Sequence, residues 1–240
     1  MISVCMATYN GGRYLREQVD SILSQLSQDD ELIVSDDGST DNSIQILKGY
    51  NDSRIKIFPN SDRHGVNANF ENALRHASGD YIFLSDQDDV WLPGKVNACV
   101  KALQENICVE HDCIIVDENL NVIQPSFFSW IGAKTGFWKN LARNSYHGCC
   151  LAFRREILDE ILPIPENLIV YHDEWIGSLC DLKGGFALIP FKGILFRRYE
   201  NTTSVSGKKS TFSFRKKIQF RANLLNLVMK RHFLLKRCNS

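Results

Sequence analysis

The sequence predicts an α/β domain with a mostly parallel central sheet and helices on both faces. Three observations carry this reading. Short β-rich runs alternate with segments of helical spacing through the first half of the chain. The 240 residues suffice for one large domain with its own core. An apolar share of 44% and a charged share of 23% are ordinary for a folded protein and exclude wholesale disorder.

Residues 2–7 open the chain as a strand, with no basic and apolar leader before them, so a cytoplasmic protein is expected. Leu15, Val19, Ile22 and Leu26 then recur at helical spacing. Residues 31–36 form the second strand, and Ile44 and Leu47 begin a helix behind three capping residues, Ser39, Thr40 and Asp41. A third strand spans 54–58. Phe70, Ala73, Leu74 and Ala77 mark the third helix, 81–85 the fourth strand, Val96, Val100 and Leu103 the fourth helix, and 113–117 the fifth strand. Beyond residue 118 the pattern loosens. Asn119, Leu120 and Asn121 read as the turn of a small hairpin, and 126–138 as an irregular aromatic stretch. A strand over 149–153, a helix over 155–162, a helix from about Asp173 and two strands, 187–190 and 193–199, complete a catalytic domain spanning 1–204. No apolar run reaches the ~18–20 residues that a membrane-spanning helix needs.

Net charge is zero, yet it is unevenly spread. Residues 1–204 hold all 28 acids and 18 of the Lys and Arg, a balance of −10, whereas 205–240 hold ten Lys and Arg and no acid. Phe214, Ile218, Leu225, Val228 and Leu235 recur at helical spacing among those cations. A basic amphipathic helix or helix pair from about Lys208 to Arg237, lying on an anionic membrane surface, is expected. The competing arrangement packs it against the acidic body. Nucleic acid is the weaker alternative and is not expected as a partner. The eight cysteines show no CxxC pair and read as reduced thiols.

In such sheets, ligands bind at the carboxyl ends of the strands. The first strand ends in Thr8, Tyr9, Asn10, Gly11 and Gly12, and the second in Asp36, Asp37, Gly38 and Ser39. Taken alone, each is equally a turn with a helix cap. The fourth strand ends in Asp86, Gln87, Asp88 and Asp89. Three carboxylates in four residues repel one another unless a cation or solvent relieves them. Hard oxygen ligands of this kind suit Mn²⁺ or Mg²⁺ shared with substrate phosphates. At the head of a later helix, His172, Asp173 and Glu174 lie between Tyr171 and Trp175. Aromatic rings stack on sugar faces, so this cluster reads as a base beside a sugar; the simpler role is a helix cap.

Together these motifs resemble the inverting glycosyltransferases of family two, over roughly residues 1–204. The stretch Ser85, Asp86, Gln87, Asp88, Asp89, Val90, Trp91, Leu92, Pro93 is most similar to rhamnosyltransferase-like and hexosyltransferase members that build bacterial O-antigen and capsule. The resemblance implies a GT-A fold and a nucleotide-diphospho-sugar donor, a UDP-hexose or dTDP-rhamnose. It also implies a polyprenyl-diphosphate-linked saccharide as acceptor, and work at the inner face of the cytoplasmic membrane. By the same match, Thr8, Tyr9, Asn10, Asp37, Gly65, Asn69, Asp86, Gln87 and Gly148 contact the donor. Asp88 holds the metal with Asp86, Asp173 is the general base, and His172, Glu174 and Trp175 face the acceptor. Tyr199 stands where relatives often carry a His. A nucleotidyltransferase, or a non-catalytic sugar-binding or lipid-binding protein on the same fold, are the competing readings.

Overall fold

A computed structural model describes residues 1–199 and 212–238, with side chains given through Leu234. Lys208 and Lys209 of the expected tail lie outside the described residues, as do the side chains of Leu235, Lys236 and Arg237. The first half runs β1 (Ile2–Thr8), α1 (Leu15–Leu23), β2 (Glu31–Asp36), α2 (Ser43–Lys48), β3 (Ile55–Pro59), α3 (Val66–His76), β4 (Tyr81–Ser85), β5 (Val90–Trp91), α4 (Lys95–Leu103) and β6 (Cys108–Val116). The second half adds β7 (Val122–Gln124), α5 (Phe127–Ile131), α6 (Phe137–Ala142), β8 (Leu151–Arg154), α7 (Leu158–Ile161), α8 (His172–Lys183), β9 (Phe186–Arg197) and α9 (Phe214–Cys238).

The described strands form one sheet in the order β3-β2-β1-β4-β8-β6-β9-β5, with β7 also pairing β6, at Ile115 and Val116. The expected parallel register holds across β3, β2, β1 and β4. Past β4 the sheet is mixed: β8 is antiparallel to both its neighbours, whereas β6 and β9 run parallel. Alternation along β1 supplies both faces. Cys5 joins the core under α3, α7, α8 and α9, and Val4 and Met6 join the core under α1, α2 and α4.

Three elements depart from the pattern of the sequence. β6 starts five residues earlier than expected, because Glu110, His111 and Asp112 are buried in it despite their polarity. The two last strands are one, β9, whose register against β6 slips between Ile189 and Lys192, leaving Pro190 and Phe191 as a bulge. The aromatic stretch after 126 contains two short helices, α5 and α6.

α9 is a single helix, and its inner side belongs to the core: Leu224, Leu227 and Val228 are buried. Arg231 donates to the carbonyl oxygens of Glu160, Leu162 and Pro163, and lies over the ring of Trp175. Phe214 and Ile218 near its start and Phe233 and Leu234 near its end stay exposed. No helix among the described residues is long and apolar enough to cross a membrane.

Leu224→Ala should therefore cost about 2–5 kcal/mol in urea unfolding, as core leucines do. Phe214→Ala, at an exposed position, should change stability by less than about 0.5 kcal/mol.

Candidate active site

One cleft of about 1630 Å³ opens at the carboxyl ends of β1, β2 and β4 and continues to α6, α8 and α9. It is lined by Thr8, Tyr9, Asn10, Asp37, Gly65, Asn69, Asp86, Gln87, Asp88, Gly148, His172, Asp173 and Glu174. Trp175 is the exception among the expected site residues. Its ring is fully buried in the core and its Nε1 donates to the Ile161 carbonyl at 2.9 Å. One residue past Glu174, the helical turn of about 100° takes it off the cleft face, so it supports α8 and touches no sugar.

The donor end is stitched together by side chains. Gln87 spans the gap between β1 and β4: its Oε1 accepts from Thr8 Oγ1 at 2.6 Å and from the Tyr9 N–H at 2.9 Å, and its Nε2 donates to the Tyr9 carbonyl. Asn10 adopts φ 50, a left-handed conformation that Asn tolerates, and its Oδ1 accepts the Thr40 N–H at 2.8 Å. Tyr9 stays more than half exposed above this braced turn. Asp37 accepts from Asn60 Nδ2 and meets His64 Nδ1 through Oδ1, and accepts from the Gly65 N–H through Oδ2 at 2.8 Å. A carboxylate offers about four acceptor positions, so Oδ2 keeps one for an incoming N–H. Gly65 sits at φ 102, a backbone that a side chain would strain. Asn69 Nδ2 donates to the Thr8 carbonyl, while its buried Oδ1 has no hydrogen-bond partner among the described residues.

The three carboxylates after β4 face different ways. Asp86 and Asp88 line the cleft, and Asp89 is fully buried, accepting the Arg197 N–H at 3.0 Å. Burial first, and then the neighbouring Asp88 charge, raises Asp86 to about 7. Burial also raises Asp88 and Asp89, and the charges of Asp88 and Asp86 push Asp89 further. Two cations answer three acids. Lys95 is buried behind the turn, with Nζ on the Cys149 carbonyl at 3.1 Å and over the Trp91 ring at 3.7 Å. Arg197 donates Nε to the Asp88 carbonyl at 2.8 Å, Nη1 to the Glu118 carbonyl and Nη2 to Glu17 at 2.6 Å, with its face over Tyr14. Tyr199 OH donates to Asp88 Oδ2 at 2.7 Å, so the residue at the place of the expected His does reach the carboxylate turn.

A carboxylate pair at the cleft surface that stays raised despite Lys95, Arg197 and Tyr199 fits a hard divalent cation. Ligand atoms of Asp86, Asp89 and Cys149 also lie within 4.8 Å of one another. A thiol is a poor partner for Mg²⁺ or Mn²⁺, so the cleft-facing pair, Asp86 and Asp88, is the better match.

Across the cleft, Asp173 opens α8. Burial is the largest cause of its rise to about 7, with the charges of Glu174 and Asp86 adding to it; backbone N–H groups of Glu174 and Gly148 hold it back. Gly148 is required here because a Cβ would come within 2.8 Å of His172 Nε2. His172 stacks on Phe70 at 3.8 Å, and burial lowers it to about 3, so its ring is neutral at physiological pH. Both of its buried ring nitrogens have no hydrogen-bond partner among the described residues. Asn67 fixes the approach to α8, accepting the His172 N–H and donating to the Val170 carbonyl. Glu174 pairs with Arg221 of α9. The sequence did not single out Lys95, Asn67, Arg197 or Arg221 for the site; Asn67 lies between Gly65 and Asn69, which it did.

Residues 3–162 match the family described as Glycosyl transferase family 2, and the chain belongs to it. It is 27% identical over 210 residues to an uncharacterized glycosyltransferase of Nostoc sp., an alignment covering 80% of this chain and 65% of that protein. The chain thus spans less than two thirds of the Nostoc protein's own length. It is also 27% identical over 186 residues to the UDP-Glc:alpha-D-GlcNAc-diphosphoundecaprenol beta-1,3-glucosyltransferase WfgD of Escherichia coli, covering 75% of this chain and 70% of WfgD. The crystal structure of S. aureus TarS 1-349 with UDP-GlcNAc superposes with a TM-score of 0.71 over 96% of this chain and 66% of TarS, at 17% identity. The expected GT-A architecture is therefore the fold of the chain.

The raised Asp173 has a consequence for stability. Its folded pKa of about 7 exceeds the ordinary carboxyl value, so the fold prefers the protonated form. Its contribution is most favourable at acidic pH and is lost as pH rises through about 7. Asp173→Asn should thus stabilise the protein at pH 8, by about 1–2 kcal/mol given the open cleft, and by nearly nothing at pH 4. Thermal unfolding at the two pH values measures it.

Proposed function

We propose that the protein transfers a hexose, with inversion, from a nucleotide-diphospho-sugar to a hydroxyl of a polyprenyl-diphosphate-linked saccharide. The observation that carries this reading is a carboxylate poised near 7, Asp173, in the same cleft as the Asp86 and Asp88 turn. A family of glycosyltransferases and a relative named for a UDP-glucose donor and a diphosphoundecaprenol acceptor supply the substrate class. UDP-hexoses are the first donors to test, and dTDP-rhamnose the next.

In this reading Asp37 takes a nucleobase N–H on its remaining lone pair, and Tyr9 packs beside the base. Asn10, Gly65 and Asn69 shape the walls around the nucleotide. Asp86 and Asp88 hold Mn²⁺ or Mg²⁺, which supplies charge stabilisation for the departing diphosphate when bound. Gly148, lacking a side chain, leaves room for the donor sugar beside His172. The neutral His172 ring offers one donor and one acceptor to sugar hydroxyls. Asp173 takes the proton of the acceptor hydroxyl as that oxygen attacks the anomeric carbon, on the face opposite the leaving diphosphate. A base with a value near the working pH is suited to that step. Glu174, tied to Arg221, fixes the acceptor side. The outward residues of α9, among them Phe233 and Leu234 with Lys230, would meet an anionic membrane at the inner face of the cytoplasmic membrane.

A transfer assay with Mn²⁺, a panel of UDP-, GDP- and dTDP-sugars and a polyprenyl-diphosphate-linked saccharide tests the reading. Asp173→Asn should lower transfer about 10²–10⁴-fold while leaving donor binding intact. In the wild type, kcat/KM should rise with pH through about 7 as Asp173 loses its proton. Undiminished transfer by Asp173→Asn would place the base elsewhere.

Excess EDTA should abolish turnover, and Asp88→Ala should cut it by orders of magnitude with the fold retained, since a turn carboxylate supports no core. Circular dichroism and the same assay check both, and full wild-type activity in EDTA would rule out the cation.

A further inference from the structure

The cleft has two chemically opposite ends. Asp37, Asp86 and Asp88 make one end acidic. The other is walled by α6 and by the beginning of α9, which pack on each other and on α8. On α9, residues 214, 217, 218, 221 and 225 all line the cleft, the i, i+3, i+4, i+7 and i+11 positions of one helical face. The core takes a neighbouring face, through Leu224, Leu227 and Val228. Two large apolar side chains on the cleft face remain open to water, Phe214 at 79% and Ile218 at 53% exposure. Leu141 extends the apolar strip from α6, and the exposed cations Arg143 and Lys217 flank it. Arg221 is already occupied by Glu174, which leaves Arg143 and Lys217 as the cations of this wall with no acidic partner among the described residues.

Positive charge beside exposed hydrocarbon matches an anion carried on a hydrocarbon chain. We propose that this end of the cleft binds the isoprenoid diphosphate of the acceptor, with Arg143 and Lys217 on the diphosphate and the first isoprene units along Leu141, Phe214 and Ile218. The assignment rests on the transferase reading and gives it a location for the lipid. It also explains the placement of Asp173. That residue feels the charge of Asp86 on one side, and its neighbour Glu174 is tied to α9 on the other. A sugar joined to a diphosphate at Lys217 would present its hydroxyl between the two.

The test is a calorimetric titration of the full chain in EDTA, without donor, using farnesyl diphosphate, farnesol and inorganic diphosphate as separate probes. Farnesyl diphosphate should bind at least tenfold more tightly than either of the others, because only it satisfies both the cations and the strip. Lys217→Glu, Arg143→Glu and Ile218→Asp, all at exposed positions that the fold does not need, should each weaken it tenfold or more. Unchanged affinity in these variants would overturn the assignment. So would binding to phosphatidylglycerol vesicles with none to farnesyl diphosphate, which would make this wall a membrane surface and not a lipid-diphosphate subsite. The titrations need neither donor nor turnover, so their outcome is separable from that of the transfer assay.

Discussion

The crowding of Asp86, Asp88 and Asp89 on one turn is the constraint around which the site is assembled. Three carboxylates with raised values cannot all be charged at neutral pH without compensation. Lys95, in the first turn of α4, lowers Asp86 by its charge. Arg197, at the end of β9, lowers Asp88 by its charge and ties the turn to Glu17 of α1 and to the Glu118 carbonyl, and all three acids still stay raised. β9 runs along β6 as far as Arg197, and the chain just past its end brings Tyr199 to Asp88. The mixed half of the sheet is therefore the support for the acidic end of the parallel half.

The Asp173 side of the cleft is shaped by burial in the same way. Asp173 is kept near 7 by burial and two acidic neighbours, a state that weakens the fold at neutral pH and suits proton transfer. The compensation lies next door, where Glu174 is held by Arg221. α9 thus reaches the cleft through Arg221 and the core through Leu224, Leu227 and Val228, while Lys230, Phe233 and Leu234 stay exposed. Packing against the body, one of the two arrangements weighed for the tail, takes only one side of α9, because a 25-residue helix has more than one face.

Much of the first half was legible in the sequence because its signals are local. Val4 and Met6 alternate with Cys5, the stripes of α1 and α3 repeat every three or four residues, and polar strand ends mark the cleft. What escaped was fixed by distant partners. Glu110 and Asp112 read as non-strand residues, yet β6 buries both between β8 and β9. The ring of Trp175 next to Asp173 resembled a sugar platform, and only the helical turn that sends it to Ile161 shows otherwise. Arg197 and Arg221 lie 109 residues from Asp88 and 47 from Glu174, distances over which no motif speaks.

The central claim is that the cleft-facing pair on the crowded turn is completed by a cation shared with the donor's diphosphate. Calorimetric titration of UDP into the protein with and without Mn²⁺, for the wild type, Asp86→Asn and Asp88→Asn, tests it most directly. Wild-type affinity for UDP should rise at least tenfold with Mn²⁺, and that gain should vanish in both variants. Equal UDP affinity with and without Mn²⁺, or a full Mn²⁺ effect surviving in both variants, would contradict the account.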